Sequence, residues 1–214
     1  MISCDKLAAL YDRLLDTYGP QRWWPAESAF EVIVGAVLTQ NTSWKNVEKA
    51  ITGLKDAGPL ELGRIVALPR DELAELIKSS GFFNVKAQRL QNLCGWLHSQ
   101  GGLDAVAQWD TGRLRQALLS INGVGPETAD DILLYAFERP VFVIDTYTRR
   151  LLNRLGLIRG REDYETLRQM FECCLAPDHR LYNEYHALIV RHAKEKCTHH
   201  NQCRHCAVEA PIPL

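Results

Sequence analysis

No stretch of alternating apolar residues longer than positions 141–144 occurs in the chain, so a β-sheet has almost nothing to be built from. What recurs instead is apolar residues three and four apart. Leu7, Leu10, Leu14 and Leu15 form one such stripe, and positions 90–97, 114–119, 132–137 and 151–155 repeat it. Residues 28–40 are mainly apolar and follow Ser28, a suitable helix N-cap. Asp71 and Glu72 open a short apolar segment that closes near Gly81, with acids placed to favour a helix N-terminus. Breaks at Gly58-Pro59, Pro69, Gly81, Gly101-Gly102, 123–126 and Gly156 divide the pattern into about ten short helices. The pattern predicts an all-α protein with no internal repeat.

Charge narrows the function classes. The chain has 25 Lys and Arg against 26 Asp and Glu, which excludes a uniformly basic nucleic-acid coat and an acidic disordered tail. No run reaches the roughly 18 apolar residues that a membrane helix needs. The first ten residues carry Asp5 and lack the apolar core of a signal peptide, so a cytoplasmic protein without a membrane partner is expected. The charge is uneven, however. Residues 146–206 hold 11 Lys and Arg against 7 Asp and Glu, together with six of the seven histidines. That stretch is the better candidate for meeting a polyanion. The seven cysteines are at 4, 94, 173, 174, 197, 203 and 206. Their odd number and the expected reducing compartment argue against a disulfide framework.

Two local motifs carry chemistry. In the segment 118–129, a helix ends and a tight loop holds Gly123 and Gly125 on either side of Val124, which is placed to plug the core. Pro126 then stands at the favoured first position of a new helix. Such a loop can turn backbone N–H groups toward a phosphate, or it can simply be a glycine-capped corner. Downstream, Asp145 follows an apolar stretch and precedes Thr146 to Arg150. It suits an N-cap and equally a functional carboxylate at the start of a helix.

From Ile121 to Leu155 the sequence resembles the helix-hairpin-helix, Gly/Pro-loop and aspartate signature of the endonuclease III superfamily of base-excision DNA glycosylases. Gly81-Phe82-Phe83-Asn84-Val85-Lys86-Ala87 is similar to a further family segment, and Cys197, Cys203 and Cys206 are similar to its iron–sulfur loop. The resemblance implies a six-helix barrel over residues 27–137. A second domain would combine residues 1–26 with 138–214, and DNA would lie in the cleft between them beside Asp145. It implies DNA contacts from Gly123, Val124 and Gly125, with Lys86, Arg149 and Arg150 as phosphate partners. Gln40 and Asn41 would fill the gap left in the duplex or cap a helix. The partner it implies is double-stranded DNA containing damaged bases, bound by a monomer.

Bifunctional relatives carry a lysine two residues after the second hairpin glycine; here the position is Glu127. A carboxylate cannot form the imine that lyase chemistry requires. Lyase activity should therefore be absent, or depend on another amine such as Lys86. Glu127 is either an acid suited to a helix N-terminus or a contact to the water or the base. Asp145 would stabilise positive charge on the sugar as the base departs. Trp23-Trp24-Pro25 and Trp44 resemble the aromatic pocket of the 3-methyladenine DNA glycosylase III branch, which implies an alkylated purine as substrate. The cysteine loop departs from the family, because Ile212 stands where the fourth ligand is due. That leaves an atypical [4Fe–4S] cluster, a Cys3His zinc site using His199, His200 or His205, or no metal. Two other readings remain: a glycosylase with AP-lyase activity toward other lesions, and a non-catalytic DNA-binding module.

Overall fold

The computed structural model describes residues 3–21, 23 and 26–197, and every regular element among them is helical. In chain order these are α1 (Cys4–Tyr18), α2 (Ala29–Leu38), α3 (Trp44–Asp56), α4 (Leu62–Ala67), α5 (Arg70–Leu76), α6 (Phe83–Ser99), α7 (Leu103–Ala107), α8 (Thr111–Leu119), α9 (Pro126–Asp131), α10 (Thr146–Arg154), α11 (Tyr164–Cys174) and α12 (His179–Lys196). The protein is all-α, as the apolar spacing predicts. A 3₁₀ turn, Lys78–Ser80, leads toward α6, and Ile132–Ala136 extends α9 as a π turn. The π turn closes with a bond from the Phe137 N–H to the Ile132 carbonyl at 3.2 Å. No described helix is long and apolar enough to cross a membrane. The chain divides into two compact units: Ala26–Phe137, and Met1–Pro25 with Glu138–Leu214.

The unit from Ala26 to Phe137 is organised on α2. The Ser28 hydroxyl accepts the Glu31 N–H at 3.1 Å and starts the helix. Every residue from Phe30 to Leu38 is buried. A helix apolar on all sides must be wrapped by others, and α3, α6, α9 and the π turn pack on it. Its one charged residue, Glu31, is matched by Lys55 at 2.8 Å. Leu90, Leu93, Cys94 and Leu97 line the buried face of α6, and burial pushes the Cys94 thiol up to about 12. That thiol is an inert packing group. Helices α8 and α9 are locked by Arg115, whose Nε and Nη2 reach the two oxygens of fully buried Asp130 at 2.7 and 3.0 Å.

The other unit combines the first helix with α10, α11 and α12. Leu7, Leu10 and Leu14 are fully buried along α1, and the Tyr185 hydroxyl donates to the Leu7 carbonyl at 2.8 Å. Phe142 stacks on Phe171 at 3.9 Å between centroids, with the edges of Tyr182 and Tyr185 against it. A disulfide joins Cys4 to Cys174, with 4.7 Å between their Cα atoms. This corrects the expectation from cysteine count. The odd number left thiols over but did not prevent one pair. The pairing is invisible locally because 170 positions separate the two residues.

Candidate active site

Residues 141–144 are almost fully buried, and they deliver the chain to Asp145 at the mouth of α10. Asp145 caps that helix: its Oδ1 accepts the Thr148 N–H at 2.7 Å. Its Oδ2 lies 3.6 Å from Nε2 of His186, which α12 contributes. The Asp145 side chain is 12% exposed. Burial pushes its pKa up, but the neighbouring His186 charge and hydrogen bond, with the Thr148 N–H, outweigh burial and hold it below the usual carboxylate range. The site therefore presents a carboxylate that stays ionised with one oxygen already committed to the backbone.

An aromatic and cationic group stands in the same unit. The Lys194 ammonium lies 5.3 Å from the centroid of the Tyr147 ring and 5.4 Å from that of Trp23. Arg150 lies 5.3 Å over the same Tyr147 ring. Burial lowers the Lys194 pKa, and Asp145 pulls it partly back, so the two groups sense one another. Trp23 Nε1 is buried and has no acceptor among the described residues. Arg149 is partly committed, donating to the Glu162 carbonyl at 2.7 Å. Trp24 and Pro25 lie outside the described residues.

In the other unit the hairpin between α8 and α9 is braced from behind. Val124 is buried, as its place between the glycines predicts. Gly123 has φ +97°, and a Cβ there would come within 2.2 Å of the Arg89 Cγ. Arg89 Nη1 donates to Gln40 Oε1 at 2.5 Å. Gln40 Nε2 in turn donates to the Gly123 carbonyl at 3.2 Å and to Thr128 Oγ1 at 2.9 Å. Gln40 is thus tied to the hairpin. Asn41 next to it is exposed at φ 53°. Glu127 is exposed in the first turn of α9, and Trp44 is half-buried as the first residue of α3.

Lys86 corrects the sequence reading. Only 1% exposed, it donates to the Leu38 carbonyl at 2.8 Å and the Ser80 carbonyl at 2.6 Å, so it cannot serve as a surface phosphate partner or a free amine. Burial, with Arg89 nearby, lowers its pKa to about 8. The unfolded chain keeps this proton to the ordinary value of 10.5, so the unfolded state binds more protons between about 8 and 10.5. This group's contribution to stability therefore rises with pH through that window. In urea titrations, Lys86→Met should lose about 1–3 kcal/mol at pH 7 from the two abandoned carbonyls. The gap to wild type should widen toward pH 10, and a constant gap would contradict the assignment.

His186, Lys194 and Arg89 stand in no motif, and Tyr147, two residues after Asp145, is not singled out by sequence. The clustering of histidines after position 178 was the only pointer to His186. Phe82 was missed as well: it is 69% exposed, in the left-handed region at φ 47°, with Val85 beside it at 49%.

Cys197 is buried at the end of α12, while Cys203 and Cys206 lie outside the described residues. The other cysteines do not complete a four-thiolate set: Cys174 is in the disulfide and Cys94 in the core of the other unit. No group of three or more His, Cys, Asp or Glu among the described residues could hold a metal.

Residues 34–177 match the family model described as HhH-GPD superfamily base excision DNA repair protein. The chain belongs to the HhH-GPD superfamily. A Methanocaldococcus jannaschii member whose name places it among DNA repair glycosylases is 49% identical over 203 residues, 94% of this chain and 92% of that one. The H. pylori 3-methyladenine DNA glycosylase MagIII, solved with 1,N6-ethenoadenine, is 33% identical with a TM-score of 0.77, covering 92% of this chain and 99% of that one. An endonuclease III–DNA complex, 21% identical, shares the fold with a TM-score of 0.81, over 97% of this chain and 94% of that one. This HhH-GPD protein is a base-excision-repair DNA glycosylase of the branch that resembles MagIII.

Proposed function

We propose that this glycosylase removes N-alkylated purines from duplex DNA by hydrolysis. The observation that carries the reading is the group around Asp145: an ionised carboxylate in one unit with two aromatic rings whose faces already accept a cation. Alkylation at purine N3 or N7 makes the base cationic and a good leaving group. A cation over an indole gains about 0.5–2 kcal/mol when desolvated. Asp145 stabilises the positive charge that develops on the sugar as the bond breaks and accepts a proton from the attacking water. Trp24, Pro25 and Trp44 are assigned to the same stacking role on resemblance alone. Glu127, where bifunctional relatives have lysine, closes the hairpin route to an imine, so the excision step is hydrolytic.

For DNA itself, the hairpin amides around Gly123 and Gly125 hold a phosphate, and exposed Arg150 adds a charge. Phe82 and Val85 offer an apolar edge able to stack into an opened base pair. The two glycines serve different ends. Gly125 has φ −92°, and a Cβ there would meet nothing in the protein. Gly125→Ala should therefore keep the melting temperature and weaken DNA binding several-fold. Gly123→Ala, at positive φ against Arg89, should lose about 1–3 kcal/mol of stability. Equal melting temperatures for the two variants would contradict this division.

The deciding experiment presents duplexes carrying 3-methyladenine, thymine glycol, uracil opposite guanine, or adenine opposite 8-oxoguanine, and measures released base. Release of 3-methyladenine is expected. Release of thymine glycol without 3-methyladenine would overturn the substrate reading.

A further inference from the structure

A polar ring on an apolar helix face costs free energy, and α12 carries one at such a place. Tyr182, Tyr185, Ile189 and Ala193 are fully buried along α12, and His186 is buried among them. Two neighbouring histidines face other groups: His192 Nδ1 meets the Tyr18 hydroxyl at 3.0 Å, and His179 lies 3.9 Å from Glu138. His186 turns to Asp145, with Nε2 3.6 Å from Oδ2. That is ion-pair distance and longer than a hydrogen bond, a spacing common for active-site contacts that tighten once substrate is bound.

The two oxygens of Asp145 therefore have different holders. The Thr148 N–H fixes Oδ1 at 2.7 Å. A carboxylate held by one oxygen still turns about its Cβ–Cγ bond, which has only broad preferences. A ring nitrogen opposite the second oxygen limits that turn. Both the Nε2–H tautomer and the protonated ring offer Oδ2 a donor. The charged groups of the surrounding helices are placed differently. On α12, Lys194 senses Asp145 by charge and lies against the rings of Trp23 and Tyr147. On α10, Arg149 donates to the Glu162 carbonyl and Arg150 lies over Tyr147. On α11, the Tyr164 hydroxyl accepts the Ile144 N–H and Glu172 accepts the Phe142 N–H. On α1, Asp12 is sensed by Tyr185, and Tyr18 meets His192.

We propose that His186 is a positioning residue of the excision step, holding the Asp145 carboxylate in the orientation that meets the sugar. This role rests on the reading of Asp145 as the residue that stabilises the departing sugar charge. Removing the donor from Oδ2 also leaves burial less opposed, so the carboxyl takes up a proton at higher pH.

The test measures single-turnover release of 3-methyladenine from duplex DNA across the acid and neutral range, with a melting temperature for each protein. His186→Leu should lower the plateau rate about ten- to a hundredfold, the scale of a misplaced catalytic group, and move the acid limb to higher pH. His186→Gln, whose amide nitrogen takes the place of Nε2, should recover most of the rate and return the acid limb. His186→Leu with the wild-type rate and profile would overturn the proposal. So would a His186→Gln rate as low as that of Asp145→Asn at an unchanged melting temperature. Urea titrations give a readout that needs no lesion. Each protein is compared with its own Asp145→Asn version, and in wild type the difference fades as pH falls through the lowered Asp145 value. In His186→Leu the fading should begin at higher pH, and an unmoved onset would overturn the proposal. Absence of 3-methyladenine release by wild type sinks the substrate reading and leaves the urea comparison to decide on His186. An inactive Asp145→Asn beside an unaltered His186→Leu sinks His186 alone.

Discussion

Asp145→Asn should lower the single-turnover rate of base excision by about two to three orders of magnitude, the usual cost of deleting one preorganised electrostatic group. Asparagine is the informative replacement, because it caps helices as well as aspartate does. The Thr148 N–H keeps an acceptor, α10 keeps its start, and the fold is not the variable. What disappears is the negative charge, together with its attraction to His186. DNA affinity should change by no more than a few-fold, since phosphate contacts supply most of it. A filter-binding titration beside a quench assay separates the two quantities. Wild-type excision by Asp145→Asn would refute the assignment, and a parallel collapse of binding would recast Asp145 as structural. The pKa direction adds a pH expectation. Because the carboxyl is held below the ordinary range, the stability it contributes is lost only as pH falls through that lowered value.

Reducing the Cys4–Cys174 bond should have the largest effect on stability. The bond closes a loop of about 170 residues, and chain-entropy arguments assign such a cross-link roughly 2–5 kcal/mol. For a chain of this size that corresponds to a fall in Tm of about 5–15 °C. Cys4→Ser should melt at the temperature of reduced wild type and be indifferent to reductant. Exposed Cys173, next to the bonded Cys174, keeps a free thiol. Alkylation under denaturing, non-reducing conditions with peptide mapping should therefore label Cys94, Cys173 and Cys197 and spare Cys4 and Cys174. A wild-type melting curve unmoved by reductant would mean that the bond contributes nothing.

Asp145 and the Cys4–Cys174 pair mark the limits of what could be read from the chain alone. Asp145 was legible because an N-cap, an apolar approach and a helix start are all local features. The all-α fold was legible for the same reason, from spacing and from Gly/Pro breaks. Val124 was legible as a core residue between two glycines. Lys86 was misread because a charge in a polar-looking turn is ordinarily solvated. Its burial depends on two carbonyls, Leu38 and Ser80, one of them 48 positions away. The hydrogen bonds that tie Gln40 to Gly123 and Thr128 were not legible, because those partners are more than 80 positions downstream. His186 and Lys194 joined the site only because α12 packs against α10. These features turn on long-range contacts, and the spacing of residues along one element says nothing about those.

The arrangement of the unit that holds Asp145 has a consequence for synthesis. Helix α1 is made before residues 26–137, yet it packs on α11 and α12, which are made after them. Residues 26–137 emerge between them as a compact unit of their own and can fold while translation continues. Helix α1, with Leu7, Leu10 and Leu14 uncovered and the Cys4 thiol unpaired, must wait for α11 and α12. During that interval it is the segment most open to aggregation and to chaperones. Slowing elongation should therefore lower the yield of active protein through this helix, and placing α1 after α12 by circular permutation should relieve the loss.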